Sequence, residues 1–397
     1  MSKFSYEYYR DILKDGSLPK AFVDLDRFDE NVFALQQRSG DKLIRVASKS
    51  VRCTAILERV FKAHDQYQGI LSFSAPEAAW LASKGFDDII VAYPVFRPDD
   101  IASICPFLKE GKTIVLMTDS PEHIEAIGAI AKKHEVTIPV CIDIDLSTDF
   151  GSLHFGVWRS RVKGMGQVDG ILSAIESGPC VKLDSVMGYE AQIAGVGDNV
   201  AGQGMKNKVI RYLKKKSIKE IRERRAAVVE GIQARGLELR VVNGGGTGSL
   251  ESTCEEDCVS EVTVGSGFYT PTLFDGYQAF KHAPAAGFAL EISRIPKAQT
   301  YTCLGGGYIA SGGAGKEKLP APFLPEGAAL YDMEGCGEVQ TPIQYSGPIE
   351  LNMGDPVLFR HAKAGELCER FKVLFLIQNG AIVDEVPTYR GEDQCFF

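Results

Sequence analysis

Between residues 20 and 267, short apolar runs typical of buried strands alternate with amphipathic segments typical of helices. After a first run at 20–26, eight more follow: LIRVASK (43–49), GILSFS (69–74), DIIVAY (88–93), TIVLMT (113–118), PVCIDID (139–145), VKLDSVMGY (181–189), LRVVNGG (239–245) and EVTVGSG (261–267). Runs rich in valine and isoleucine that are separated by helices predict parallel strands joined by crossover connections. Eight such strands predict an α/β fold, the (β/α)8 TIM barrel, with an open doubly wound sheet as the alternative.

The sequence changes character after about residue 285. The later strand-like segments are FALEISRIP, YTCLGGGYIA, AALYDMEGCGEVQ, IELNMGDPVLFR and FKVLFLIQNGAIVDEV. Glycine and proline separate them, with almost no helical periodicity, which predicts an all-β unit. We therefore expect a barrel domain over 20–285 and a C-terminal β-domain over 286–397, which the N-terminal residues 1–19 join.

Composition narrows the function classes. The 397 residues include 44 Lys and Arg against 52 Asp and Glu, which gives a net charge of −8. An acidic surface repels phosphate backbones, so no nucleic-acid partner is expected. No apolar run approaches the ~20 residues that span a bilayer, and the N-terminal segment lacks the apolar core of a secretory signal. These features predict a cytoplasmic protein without membrane contact.

Two glycine-rich loops predict a phosphate site. NGGGTGSL (243–250) follows the seventh predicted barrel strand, and VGSGFY (264–269) ends the eighth. Glycines let the backbone turn tightly and aim N–H groups at an anion. Barrels commonly bind phosphate at the loops after strands 7 and 8. Either loop alone would also fit a plain turn.

Lys49 ends the first predicted barrel strand, in IRVASKS. Side chains alternate along a strand, so Arg45, Ala47 and Lys49 share one face. If that face points inward, an amine stands beside the phosphate site, and a desolvated lysine is a nucleophile toward aldehydes. An aldehyde that carries a phosphate and binds a lysine describes pyridoxal 5′-phosphate (PLP). A rim lysine in water is the alternative.

Further motifs make the chain resemble the fold type III PLP enzymes, and within them the alanine-racemase-like D-threonine aldolase and D-serine dehydratase group. The segments that carry the resemblance are LPKAFVDLDRFDENV near the start, IRVASKSVR, MGYEAQIAG (187–195), GGGTGS, the GSG-F-Y run and GDPVLFRHAKAGELCERF (354–371). They extend over most of the chain. The resemblance implies the barrel, PLP as cofactor, and a homodimer.

The resemblance also implies a set of site residues. Lys49 is implied to be the Schiff-base lysine, Tyr189 to lie near the pyridine ring, and Tyr269 to be a phosphate partner. The implied PLP-binding residues are Lys49, Arg45, His154, Tyr189, Gly245, Gly246, Thr247, Gly265, Ser266, Gly267 and Tyr269, and the implied catalytic residues are Lys49, His154 and Tyr189. His154 is a departure, because the family usually shows Arg-x-Gly-Val where this chain has HFGV (154–157). His154 is expected to replace the arginine at the PLP phenolate oxygen, with a structural surface histidine as the alternative.

A divalent metal is a further expectation from the resemblance. Family members often follow a metal-binding histidine with cysteine or aspartate two residues later, but here His361 is followed by Lys363. An ammonium group cannot ligate a metal. The expected zinc or manganese ligands are therefore His361 and Cys368, with Glu366 as a substitute. A metal-free site in which Lys363 binds the substrate carboxylate is the alternative.

The implied function is that of a PLP-dependent lyase acting on a β-hydroxy D-amino acid, a small-molecule substrate. Two outcomes are open: aldol cleavage to glycine and an aldehyde, or dehydration and deamination to a 2-oxo acid and ammonia. A racemase is an alternative, because Tyr301, Tyr308, Tyr331 and Tyr345 could supply a second base. A non-catalytic PLP-binding protein is another, although such proteins lack the C-terminal strands, and a phosphosugar isomerase without PLP is the third.

Overall fold

The structure is a computed structural model that describes residues 3–178, 180–313, 315–363 and 365–396. Within these residues, no helix combines the length and apolar character needed to cross a membrane.

The strands, in chain order, are β1 (Lys20–Asp24), β2 (Leu43–Ala47), β3 (Tyr67–Ser72), β4 (Ile89–Pro94), β5 (Ile114–Thr118), β6 (Ile138–Ile144), β7 (Thr148–Phe150), β8 (Leu153–Phe155), β9 (Val181–Gly188), β10 (Val241–Gly244), β11 (Glu261–Val264), β12 (Ala286–Lys297), β13 (Thr300–Leu304), β14 (Ala321–Leu324), β15 (Ala329–Leu330), β16 (Gln340–Gln344), β17 (Pro356–Arg360), β18 (Val373–Gln378) and β19 (Ala381–Pro387).

The α-helices are α1 (Tyr6–Leu13), α2 (Leu25–Arg38), α3 (Thr54–Ala63), α4 (Ala75–Ser83), α5 (Pro98–Lys109), α6 (Pro121–His134), α7 (Met165–Ser177), α8 (Ala191–Ala194), α9 (Gly204–Gln233), α10 (Leu250–Cys254) and α11 (Ser266–Tyr269). Short 3₁₀ turns lie at Ser48–Ser50, Thr272–Gly276, Lys316–Lys318 and Glu366–Glu369.

Eight parallel strands close into a barrel in the order β10-β11-β2-β3-β4-β5-β6-β9. They are the eight runs predicted from the sequence, so the (β/α)8 prediction is confirmed and the open-sheet alternative is wrong. The barrel strands are short and apolar; every residue of β6, for example, is buried. Burial on both faces is what selects unbroken valine and isoleucine runs in place of an alternating pattern.

Among the described residues, nine further strands form a second, mostly antiparallel sheet with the path β15-β16-β13-β12-β1-β18-β19, which β17 and β14 extend from β12, and β7 and β8 pair in a separate hairpin. The C-terminal region after about residue 285 is therefore β-rich, as predicted. The first strand, β1, pairs with β12 and β18 in this sheet. The division into units of 20–285 and 286–397 stays a prediction, and β1 contributes one strand of the first range to the second sheet.

Candidate active site

The carboxyl ends of the parallel barrel strands meet at one rim, and Lys49 lies there, two residues beyond β2. It sits in the 3₁₀ turn Ser48–Ser50. The side chain of Lys49 is exposed, whereas Arg45 and Ala47, which share its face of the strand, are buried. In the part of the chain that the structure describes, the Lys49 amine has neither a hydrogen-bond partner nor an ion pair. It is a free amine at the rim where barrel active sites lie.

The glycine loop after β11 packs directly against this turn. A Cβ atom added at Gly265 would lie 2.8 Å from the Cβ atom of Ser50 and 3.0 Å from the carbonyl oxygen of Ala47. The hydroxyl oxygens of Ser50 and Ser266 are 3.2 Å apart. Only glycine leaves room for this approach, so the Lys49 turn and the second loop form one surface.

The two glycine loops are also joined to each other. The amide of Gly267 donates to the Thr247 hydroxyl at 3.0 Å. A Cβ atom at Gly267 would lie 2.7 Å from the Thr247 methyl group. Arg38, at the end of α2, donates to the Thr247 carbonyl at 2.7 Å. Thr247 therefore holds both loops in place.

Backbone N–H groups of these loops, among them those of Thr247, Gly248 and Ser266, have no acceptor among the described residues. The neighbouring amide of Gly246 is used internally, because it donates to Ser249 Oγ at 3.0 Å. A Cβ atom at Gly248 would lie 2.5 Å from the carbonyl oxygen of Ala194, so this backbone also requires glycine. Several free N–H groups in a concave turn suit an anion such as phosphate.

A buried ion pair between α9 and Glu190 supports the first glycine loop. Arg225, which α9 carries, is fully buried and donates to Glu190 Oε2 at 3.0 Å and to the carbonyl of Gly188. The other oxygen of Glu190 accepts a hydrogen bond from Ser249 Oγ at 3.2 Å. Ser249 in turn holds Gly246. The position of the first glycine loop therefore depends on Arg225, a residue of helix α9.

Tyr189 follows β9 and packs against the first loop. Its Cε2 atom is 3.3 Å from the position of a Cβ atom at Gly246. Burial raises the pKa of Tyr189 to about 12, so the phenol is protonated at neutral pH. Tyr189 thus packs against the first loop and the Lys49 turn against the second, and the site roles of both residues stay predictions.

Arg159 also lies beside Tyr189, and the sequence analysis did not identify it. Its guanidinium lies 4.8 Å from the ring centre of Tyr93 and 6.0 Å from that of Tyr189. Its Nε atom donates to Asp143 Oδ2 at 2.7 Å. Asp143 is buried at the end of β6, and burial raises the pKa of its carboxyl to about 6. A buried carboxylate at a strand end requires a cationic partner, and this requirement was the available signal for Arg159.

His154 lies on the hairpin of β7 and β8. Its Nδ1 atom is 2.8 Å from Asp149 Oδ1, and its ring stacks on Trp158 at 3.7 Å. Trp158 is 86 % exposed. Among the described residues, His154 makes no hydrogen bond, ion pair or ring contact with Lys49, Tyr189 or the glycine loops. Its catalytic and cofactor-binding roles stay predictions, and Arg159 is the cation that the structure places beside Tyr189.

Arg45 is turned away from the rim. Its guanidinium binds both carboxylate oxygens of Glu261, at 2.6 and 2.9 Å, and Asp88 at 2.9 Å. Glu261 begins β11 and Asp88 precedes β4, so these partners mark the amino ends of the strands. A fully buried arginine needs such carboxylates. The structure does not bring its guanidinium to the loops, and its cofactor contact stays a prediction.

The remaining predicted residues, Tyr269, His361 and Cys368, are buried between the barrel and the second sheet. The Tyr269 hydroxyl donates to the Val51 carbonyl at 3.0 Å, and the Cys368 thiol donates to the same oxygen at 3.3 Å. His361 packs edge-on against Tyr269, with 6.4 Å between ring centres. The described residues contain no group of three or more His, Cys, Asp or Glu arranged to hold a metal. The phosphate role of Tyr269 and the metal site stay predictions.

Comparison with known proteins points to one family. Residues 23–272 match the family described as alanine racemase, N-terminal domain. The 3-hydroxy-D-aspartate aldolase of Paracoccus denitrificans (strain Pd 1222) is 24 % identical over 257 residues, 62 % of this chain and 59 % of that protein. The D-threo-3-hydroxyaspartate dehydratase of Delftia sp. (strain HT23) is 25 % identical over 270 residues, 64 % of this chain and 62 % of that protein. The matches thus span about three-fifths of each relative's length.

Solved structures agree with the architecture. The D-threonine aldolase from Filomicrobium marinum superposes with a TM-score of 0.79 at 17 % identity, covering 97 % of both chains. A variant of D-threo-3-hydroxyaspartate dehydratase in a metal-free form gives a TM-score of 0.76 at 17 % identity, covering 95 % of this chain and 99 % of that one. At this identity, the similarity establishes the fold.

Proposed function

The chain belongs to the family of the alanine racemase N-terminal domain, and on that premise we propose that it is a PLP-dependent lyase acting on a β-hydroxy D-amino acid. The observation that carries the proposal is the packing of the Lys49 turn against the second glycine loop, with Ser50 and Ser266 in contact. The relatives that are named as an aldolase and a dehydratase of hydroxyaspartate support the reaction class.

The residues present fit PLP. The free N–H groups of Thr247, Gly248 and Ser266 suit its phosphate, and the unpaired amine of Lys49 suits its aldehyde. Tyr189 packs against the first loop and would contact the cofactor from there. The predicted cofactor residues Gly245, Gly246, Gly265 and Gly267 supply close backbone approach in this arrangement.

The chain's own groups have distinct tasks in the reaction. When bound, PLP draws electron density from the bond that breaks at the substrate Cα atom. Lys49 would hold the cofactor, and its Nζ atom would move the proton at the substrate Cα atom. Tyr189 is protonated at neutral pH and would help to orient the bound group. Arg159, which is held by Asp143, places a positive charge beside Tyr189.

Product analysis tests the proposal. Incubation of the purified protein with D-threonine and 3-hydroxy-D-aspartate should release either glycine and an aldehyde, or a 2-oxo acid and ammonia. The appearance of the opposite enantiomer instead would favour the racemase. A colourless protein that releases no product would contradict the proposal. We also propose a homodimer and a cytoplasmic location, to be checked by the mass in solution and by fractionation.

A further inference from the structure

His361 and Gly365, which follow β17, connect the second sheet to the region of the Lys49 turn. His361 is tied to the 3₁₀ turn after α11, because the amide of Thr272 donates to the His361 carbonyl at 3.1 Å. Gly365 has a φ of +83°, and a Cβ atom there would collide with the Lys49 carbonyl oxygen. A glycine is required for this approach. Lys363 therefore lies two residues before the glycine that touches the Lys49 turn.

The ammonium group of Lys363 is exposed and lacks a counter-charge. It donates to Ser311 Oγ at 3.3 Å, and among the described residues no carboxylate lies within ion-pair distance. The nearby Glu366 carboxylate accepts the Ser311 amide with both oxygens at 3.1 Å. Glu369 is paired with Arg52 and Arg390. Lys363 and Lys49 are thus two ammonium groups at this side of the rim that make no ion pair with any described residue.

The donor set at this place does not fit a divalent metal. The resemblance to the D-threonine aldolase and D-serine dehydratase group implies a divalent metal at this place. Here the residue two positions after His361 is an ammonium, which has no lone pair and repels a dication. The Cys368 thiol donates to Val51. One imidazole remains, and metal sites need several deprotonated ligands.

We propose that the Lys363 ammonium, in place of a divalent cation, binds the carboxylate of the amino acid substrate. The inference rests on the proposed function, since it concerns the substrate of the same cleft. Lys49 is committed to the cofactor, and Arg159 is committed to Asp143. Lys363 is a cation near the Lys49 turn that makes no ion pair with any described residue, and an ammonium–carboxylate contact is a strong, charge-assisted hydrogen bond.

Metal content is the first test. Zinc and manganese are measured by mass spectrometry in the PLP-loaded wild type, in Lys363→Met and in Lys363→Cys, which places a thiol two residues after His361. We expect the wild type and Lys363→Met to be metal-free and turnover to survive a chelator, while Lys363→Cys gains zinc. A wild type that carries one metal per chain and loses turnover with chelator would overturn the inference.

Steady-state kinetics with D-threonine is the second test. Loss of one charge-assisted hydrogen bond in Lys363→Met should raise KM roughly 10- to 100-fold, with a smaller change in kcat. Lys363→Arg keeps the charge and should restore most of the affinity. An unchanged KM in Lys363→Met would refute substrate binding by Lys363.

The cofactor label separates this inference from the proposed function. Borohydride reduction of the same preparations reports whether PLP is attached to Lys49. An unlabelled wild type contradicts the proposed function itself. A labelled wild type whose turnover requires a metal contradicts only the role of Lys363.

Discussion

The hydroxyl oxygens of Ser50 and Ser266 lie 3.2 Å apart, so the turn that carries Lys49 is joined to the second glycine loop. The two glycine loops are joined to each other where the Gly267 amide donates to the Thr247 hydroxyl. The backbone that carries the Lys49 amine and the glycine loops are thereby connected before any ligand binds. This preorganisation is what a cofactor with an aldehyde and a phosphate requires.

Gly265→Ala should move the turn that carries Lys49 away from the second glycine loop. The new Cβ atom would lie 2.8 Å from Ser50 Cβ and 3.0 Å from the Ala47 carbonyl, and the backbone must shift. We expect PLP affinity to fall at least several-fold and the free energy of unfolding to fall by about 1–3 kcal/mol. PLP titration and urea unfolding measure both.

The matched control is Gly166→Ala in α7, where nothing lies within 4 Å of an added Cβ atom. This change should leave PLP binding intact and raise stability by about 0.5–1 kcal/mol. Equal behaviour of the two variants would argue against the role of the packed loop.

Arg38→Met should weaken the phosphate part of the site alone. Arg38 donates to the Thr247 carbonyl at 2.7 Å while Glu251 and the ring of Phe280 fix its guanidinium. Loss of this bond should lower PLP affinity about three- to tenfold and leave pyridoxal, which lacks the phosphate, unchanged. Arg59→Met, which removes a surface pair with Asp29, is the control and should change neither. An equal loss for both ligands would refute the assignment.

Asp143 should make turnover sensitive to mildly acidic pH. Burial raises the pKa of this carboxyl to about 6, and its ionised form holds Arg159. Protonation below about pH 6 should release Arg159, so kcat/KM should decline there. Asp143→Asn should have lower kcat/KM and lose this pH dependence. A wild-type profile that is flat from pH 7 to pH 5 would contradict the role of the pair.

His282 should lower stability on the acid side. Burial, together with the nearby Arg38 guanidinium, lowers the pKa of His282 to about 4, below the ~6.5 of an unfolded chain. The unfolded state therefore binds more protons between these values, and stability is lost as pH falls from about 6.5 to 4. Urea unfolding at both ends should show a loss about 2 kcal/mol larger in wild type than in His282→Gln. Equal losses would refute the assignment.

The barrel was predictable because its strands are buried on both faces, and such strands appear in the sequence as unbroken runs of apolar residues. β1 was predictable as an apolar run, but its partners β12 and β18 lie more than 250 residues away, and nothing local specifies that pairing. The sequence therefore predicts the positions of the strands more reliably than it predicts the sheet to which each strand belongs.

Within the site, the residues on tight turns were the predictable ones. Lys49, Tyr189 and the glycine loops follow strands directly, and strand ends fix their rim position. Arg45 lies on the predicted inner face, but alternation does not indicate to which end a long side chain extends. Arg159 follows the β7–β8 hairpin, and no spacing rule connects it to Asp143.

Covalent trapping of the cofactor tests the central claim most directly. The purified protein is incubated with PLP, reduced with borohydride and mapped by peptide mass spectrometry, with Lys49→Ala and Lys363→Met in parallel. We expect the label on Lys49 in the wild type and in Lys363→Met, and no label in Lys49→Ala, whose circular dichroism should match the wild type. A label on a different lysine, or none in the wild type, would contradict the account.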